Sequence, residues 1–197
     1  FTIERLETRL QRIADFLRGL DFYSGIKPEQ VGLDPKNSFS SVPSGNRYLR
    51  AVLNSLAITE DDQIIDIGCG KGSAMRLFLA FPFGRVDGVE LSKEIAEIAR
   101  RNFSILNTGR TTVYTGDATA FEDLDKYNYI YFYNPFPALV MKIVVQNIKA
   151  SLQRNPRKLV IIYDNPTCND EVLKIDSIKV VSNYLDINKN HIFVYST

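Results

Sequence analysis

Ile64-Ile-Asp-Ile-Gly-Cys-Gly-Lys-Gly-Ser73 is the stretch from which the rest of the chain is read. Ile64, Ile65 and Ile67 form a short β-branched run of the kind that suits a fully buried strand. Asp66 interrupts it two residues before three closely spaced glycines, Gly68, Gly70 and Gly72. Beyond them Ala74, Met75, Leu77, Phe78 and Leu79 read as the apolar part of a helix. Strand, glycine turn, helix is how open parallel sheets build a ligand site at the carboxyl ends of their strands. A diphosphate-binding turn requires G-x-G-x-x-G, with the helix N-terminus aimed at the phosphates. Here the spacing is G-x-G-x-G, Ser73 stands where the third glycine would fall, and an acid precedes the turn. That pattern fits a cationic nucleoside better than a diphosphate.

Working outward, Arg85-Val-Asp-Gly-Val-Glu-Leu91 is a second strand ending in an acid. Glu90 follows Gly68 by about 20 residues, where a carboxylate accepts from both hydroxyls of a ribose. The alternative is a surface glutamate closing a strand. Ser92 caps a helix through Ile95, Ile98 and Ala99, with Glu94 and Glu97 near its positive end. Thr111-Thr-Val-Tyr-Thr-Gly-Asp-Ala118 is a third strand and turn, in which Asp117 either meets a ligand or simply forms the turn after Gly116. Tyr129-Ile-Tyr-Phe-Tyr-Asn-Pro-Phe-Pro137 is an aromatic strand running into Asn134-Pro135-Phe136. Its plain reading is a strand end broken by proline, with Phe136 in the core.

Composition bounds the partners. The 197 residues suffice for one domain with a sizeable core and are too few for two full ones. Apolar residues make up 45% and charged residues 24%, which is ordinary for a globular domain. A net charge of +1 counts against a life spent on nucleic-acid phosphates, while leaving room for a local basic patch. Cys69 and Cys168 lie far apart, one of them in the glycine turn, so a reducing, cytoplasmic setting is expected rather than a disulfide framework. No metal site is expected: His191, the single histidine, has no cysteine partner nearby. No apolar run reaches the roughly 18 residues of a membrane span, so no membrane partner is expected. The chain opens at Phe1 without methionine, which suggests that an N-terminal piece precedes it.

Asp66-Ile-Gly-Cys-Gly-Lys-Gly72, followed by the later segments in the same order, resembles the class I S-adenosylmethionine-dependent methyltransferases, over roughly residues 40 to 197. The resemblance implies an α/β, Rossmann-like fold: seven strands, mostly parallel, the last inserted antiparallel, with helices on both faces. It implies S-adenosylmethionine as cofactor. It assigns Asp66 to the methionine end and the backbone of Gly68, Cys69, Gly70 and Gly72 to packing on the ligand. Glu90 takes the ribose with Leu91 beside it, and Asp117 and Ala118 read the adenine. Asn134-Pro135-Phe136 is similar to the Asn/Asp-Pro-Pro-Tyr/Phe loop of methyltransferases that act on planar nitrogen. In such a loop the amide oxygen and the proline carbonyl accept from the acceptor N–H and turn its lone pair toward the methyl group. Proline fixes the carbonyl direction and an aromatic ring stacks on the acceptor. Asn134 and Pro135 would orient the acceptor, with Phe136 and Tyr133 as walls, and Asn134 would also touch the cofactor. Phe136 replaces the second proline, a departure that weakens base recognition and is similar to the loop of non-SET histone-lysine methyltransferases.

The flanks complete the expectation. Ile3, Leu6, Leu10, Ile13, Leu17 and Leu20 form one stripe of an amphipathic helix that Gly19 ends. It either packs across the domain or lids the cofactor; the rival is the seam of a homodimer. Residues 21–46, with Pro28, Pro35 and Pro43, form a connection long enough to be functional. Ser44 is the expected N-cap of a helix bearing Tyr48, Leu49, Val52, Leu53 and Leu56. In the resembling family this segment closes over the methionine end, so Ser41, Ser44 and Asn46 are either cofactor contacts or caps. The division expected is a helix and lid-like connection over 1–45 and a methyltransferase domain over 46–197. After the Asn-Pro-Phe loop, a helix over 138–152 turns Val140, Ile143, Val144, Ile148 and Leu152 inward. Lys158–Asp164 is a buried fifth strand, and Asn165-Pro166 turns out of it. Residues 177–183 and 191–195 alternate as a closing hairpin, with His191 solvated at its second strand. The activity implied is methyl transfer to a nitrogen: a protein side chain first, then a nucleic-acid base, then a small molecule. The alternative is a non-catalytic S-adenosylmethionine-binding protein that regulates a partner.

Overall fold

A computed structural model describes residues 2–32, 34, 41–186 and 189–197, with backbone only for 2–8 and 11. Seven strands, β1 (Gln63–Ile67), β2 (Arg85–Glu90), β3 (Thr111–Thr115), β4 (Tyr129–Tyr133), β5 (Val160–Asp164), β6 (Lys179–Leu185) and β7 (His191–Ser196), form one sheet. Its order is β3-β2-β1-β4-β5-β7-β6. The first five strands are parallel, and β7 enters antiparallel between β5 and β6. The helices are α1 (Thr2–Leu17), α2 (Arg47–Asn54), α3 (Ser73–Phe78), α4 (Lys93–Leu106), α5 (Ala138–Arg154) and α6 (Asn169–Val172).

Alternation along each strand feeds two cores, because successive side chains leave a strand on opposite faces. Ile64, Tyr129, Tyr131, Ile162 and Val194 pack with Leu49, Leu53, Met75, Phe78 and Phe103 from α2, α3 and α4. Ile65, Ile67, Ile130, Phe132 and Ile161 pack with Met141, Val144, Val145 and Ile148 from α5. Each such side chain contributes about 1.5–3 kcal/mol when fully buried, which is why nearly unbroken β-branched runs end up central. One buried charge ties the amino ends together. Asp87, fully buried on β2, accepts from Tyr127 Oη at 2.7 Å, Thr112 N–H at 2.7 Å and Arg85 Nε at 2.5 Å. Three donors offset the cost of desolvating its carboxylate.

Four sequence expectations shift. The stripe of α1 does not pack across the domain: Leu10, Ile13 and Leu17 are exposed, with Phe16 80% exposed beside them, Leu20 just beyond the helix alone is buried in the core, and the Ile3 and Leu6 side chains lie outside the described residues. The side of α1 that meets the domain carries Asp15, 1% exposed, bonded to both Nη atoms of Arg76, with Asp15 Oδ1 at 2.9 Å from Nη2. A buried ion pair leaves no periodic apolar signal. The N-cap of α2 is Asn46, whose Oδ1 accepts from Tyr48 and Leu49 N–H, and not Ser44. On α5 the inward face is Met141, Val144, Val145, Ile148 and Ser151; Ile143 is exposed, and Val140 and Leu152 are partly buried. The last pair of strands begins and ends two residues later at its first member than alternation suggests. Pro35 and the rest of 35–40 lie outside the described residues.

Candidate active site

The carboxyl ends of β1 to β4 open into a cavity of about 410 Å³, within the ordinary range for a small-molecule site. Its floor is the turn between β1 and α3. Gly68 and Cys69 N–H both donate to Val89 O, at 2.9 and 3.0 Å, so the turn is pinned to β2. Gly68 and Gly70 have positive φ, 86° and 54°. A Cβ on Gly68 would lie 2.7 Å from Pro135 Cβ, and one on Gly70 would lie 2.5 Å from Ser41 Oγ. The turn thus packs directly against the Asn-Pro-Phe loop and against the N-terminal connection. Gly72 does not line the cavity. Its absent Cβ makes room for the Phe103 ring of α4, 2.5 Å away, so this glycine serves helix packing.

Glu90 lines the wall and is nearly buried. Its Oε2 accepts from Gly70 N–H at 2.9 Å and its Oε1 from Ser92 N–H at 2.9 Å. The carboxylate therefore braces the glycine turn while keeping lone pairs for a ligand. Asp117, exposed at the rim, caps the short turn Ala118–Ala120 by accepting from Thr119 N–H at 2.8 Å; both it and Ala118 line the cavity. Turn former and wall residue are one and the same here. Cys69 and Leu91 also face the space, as do Tyr133, Asn134, Pro135 and Phe136. Phe136 leans edge-on against Phe132 at 6.4 Å, half in the core and half in the wall. Asp66 lies beneath the floor, not in the lining. Ser44 lines the cavity and lies beside the buried Tyr131 hydroxyl.

The electrostatics suit a cation. Burial pushes the Asp66 carboxyl well above the usual range, and the neighbouring Glu90 carboxylate pushes it further. Burial raises Glu90 too, against the backbone N–H groups of Ser92 and Gly70. Both carboxyls lean toward the neutral form, and a positive charge in the cavity would hold both ionised. Among the described residues Lys71 is the one basic side chain in the lining, and it is committed elsewhere: Nζ bonds Asp21 Oδ2 at 2.5 Å and also Ser24 Oγ.

Sequence reasoning offered Ser41 and Ser44 of a lid-like connection as contacts but missed the rest of the wall that it builds. Phe22, Ser24, Ile26, Pro28, Val31 and Ser41–Ser44 all line the cavity. They are held by Lys71, by Gly45 N–H on Ser73 Oγ at 3.2 Å, and by Asn102 of α4. Asn102 accepts from Asp21 N–H at 2.9 Å and donates to the carbonyls of Asp21 and Lys71. The length of the connection was the available signal; which residues anchor it was not in the pattern. Val140 and Ile143 of α5, expected to face inward, and Leu139 beside them were also missed as wall residues.

Comparison with known proteins agrees with this arrangement. A family model described as a methyltransferase domain matches residues 64–155. The ribosomal RNA small subunit methyltransferase H of Crocosphaera subtropica (strain ATCC 51142 / BH68) is 37% identical over 67 residues, 34% of this chain and 21% of that protein. Among solved structures, a variant of MtNAS in complex with S-adenosylmethionine superposes with a TM-score of 0.55 at 22% identity, covering 76% of this chain and 61% of its own. An RNA methyltransferase from Salinibacter ruber in complex with S-adenosyl-L-homocysteine gives 0.60 at 13% identity, covering 79% and 93%. The precorrin-6y C5,15-methyltransferase of Geobacter metallireducens GS-15 gives 0.56 at 16%, covering 78% and 88%. The chain spans less than two thirds of the ribosomal RNA methyltransferase and of MtNAS, and these structural likenesses speak for the fold. The glycine turn, the β2 acid and the antiparallel β7 are all in place, and the segment from β1 through α5 is the part that is similar to a methyltransferase domain.

Proposed function

We propose that the protein is an S-adenosylmethionine-dependent methyltransferase acting on a nitrogen. The observation that carries this is one cavity walled at once by Gly68–Gly70, Glu90, Asp117–Ala118 and Tyr133–Phe136, with acidic groups around it and its lysine turned away. That fits a cationic nucleoside, and the raised carboxyls of Asp66 and Glu90 are what such a ligand would satisfy. Glu90 would hold the ribose, Asp117 and Ala118 the adenine edge, Leu91 the ring face, and Ser44 with Asp66 the methionine end. S-adenosylmethionine, when bound, supplies an electrophilic methyl group on a sulfonium. Asn134, which would also touch the cofactor, and Pro135 would orient the acceptor lone pair through their carbonyl oxygens, and Tyr133 and Phe136 would flank it. Most of the rate would come from holding the reacting atoms in line.

In this reading residues 1–45 cover the site and 46–197 form the transferase domain. A protein side-chain nitrogen is the favoured acceptor, because a cavity without a free basic group among the described residues offers little to a phosphate backbone. The test is uptake of labelled methyl from S-adenosylmethionine into protein, RNA and small-molecule fractions, with the protein and with Asn134→Ala. Uptake into protein that falls far more in the variant than its cofactor affinity does supports the reading. Cofactor binding with no uptake into any fraction would favour a regulatory binding protein.

A further inference from the structure

Two adjacent parallel strands end in the same device. β4 runs into Asn134-Pro135 and β5 into Asn165-Pro166, and both asparagines have positive φ, 37° and 53°. A non-glycine residue rarely adopts that conformation, and it persists only where its surroundings enforce it. For Asn134 the enforcement is visible. Its N–H donates to Asp164 O at 3.2 Å, Pro135 sits on Gly68, and Thr167 Oγ1 donates to its side-chain Oδ1 at 2.5 Å. Thr167 lies in the second Asn-Pro turn, outside the cavity lining, its own N–H donating to Asn165 O at 2.9 Å. The second turn buttresses the first.

We propose that Thr167 is a positioning residue, whose hydroxyl fixes the Asn134 side chain at the cavity wall and thereby sets the affinity of the site for S-adenosylmethionine. With Oδ1 held by Thr167, the amide of Asn134 has one orientation, and the wall it forms is preorganised. Without the hydroxyl the amide is free to turn, and the ligand must order it on binding. The inference rests on the reading of the cavity as the cofactor site.

The experiment is calorimetric titration of S-adenosylmethionine into the protein and into Thr167→Val, Thr167→Ser, Asn134→Ala and the Asn134→Ala/Thr167→Val double variant. Thr167 is exposed, so the fold tolerates these changes, and thermal midpoints close to that of the unaltered protein verify it. Thr167→Val is expected to weaken binding about three- to tenfold, the loss that accompanies one neutral hydrogen bond. Thr167→Ser restores it, and the double variant binds no worse than Asn134→Ala alone, because the two residues act as one unit. Unaltered affinity in Thr167→Val, failure of serine to restore it, or losses that simply add would each overturn the proposal and leave the cofactor reading standing. No binding by the unaltered protein would overturn both.

Discussion

Glu90 shows how one side chain serves fold and site together. Its two oxygens take the N–H groups of Gly70 and Ser92, so the residue expected to bind a ribose also shapes the turn that would cradle the ligand. Glu90→Ala should therefore do two things. It orphans buried donors, lowering stability by about 1–3 kcal/mol, and it weakens S-adenosylmethionine binding by at least as much. Thermal melts and calorimetry separate the two; lost affinity without lost stability would mean that the brace is immaterial. Asp164 has a distinct signature. Burial first, then the neighbouring Asp186, push its carboxyl up to about 7, against the Tyr131 hydroxyl and the Asn165 N–H. Because the folded value exceeds that of the unfolded chain, the folded state binds the extra proton. The stability this gives is complete below the unfolded value, about 4, and is lost as pH rises through about 7. The thermal midpoint should fall between about pH 4 and pH 7.5, and Asp164→Asn should flatten that fall. A parallel pH dependence in the variant would refute the assignment.

At the scale of elements, the pattern of the chain made some pieces legible and others not. The strands were readable because burial on both faces writes itself as β-branched runs, and the glycine turn because its spacing is steric. The cap of α2 was misplaced by two residues, since Ser44 and Asn46 are both good caps and only the backbone path decides between them. Helix α1 was legible as a helix, but its packing across the domain was not, because an ion pair, Asp15 with Arg76, holds it rather than its apolar stripe. The connection after α1 was legible as long and lid-like, but Phe22, Ser24, Ile26, Pro28 and Val31 were not legible as its wall residues. Lys71 is the clearest case: the sequence pattern gives it no role, and it ties down Asp21 and Ser24. Lys71→Met keeps the stem and removes the tie. Limited proteolysis should then cut within residues 21–32 faster than in the unaltered protein, and S-adenosylmethionine should dissociate sooner. Equal cleavage rates would mean that Asn102 holds the segment alone.

At the scale of the molecule, the sheet order does the positioning. Parallel β1, β2 and β4 bring the glycine turn, Glu90 and the Asn-Pro-Phe loop to one edge, although they lie far apart in the chain. Inserting β7 antiparallel puts β5 between β4 and the hairpin, so the second Asn-Pro turn falls beside the first. That juxtaposition depends on strand order, which is why the sequence pattern alone did not reveal Thr167 as a partner of Asn134. The carboxyls of Asp66 and Glu90 give the assembled site its sign. The central claim is that this edge binds a cationic nucleoside, and titration calorimetry with S-adenosylmethionine, set against NAD, tests it most directly. The account predicts saturable binding of S-adenosylmethionine, stronger as pH rises and Asp66 and Glu90 ionise, with no heat from NAD. Binding of NAD, or of neither ligand, by the folded protein would contradict it.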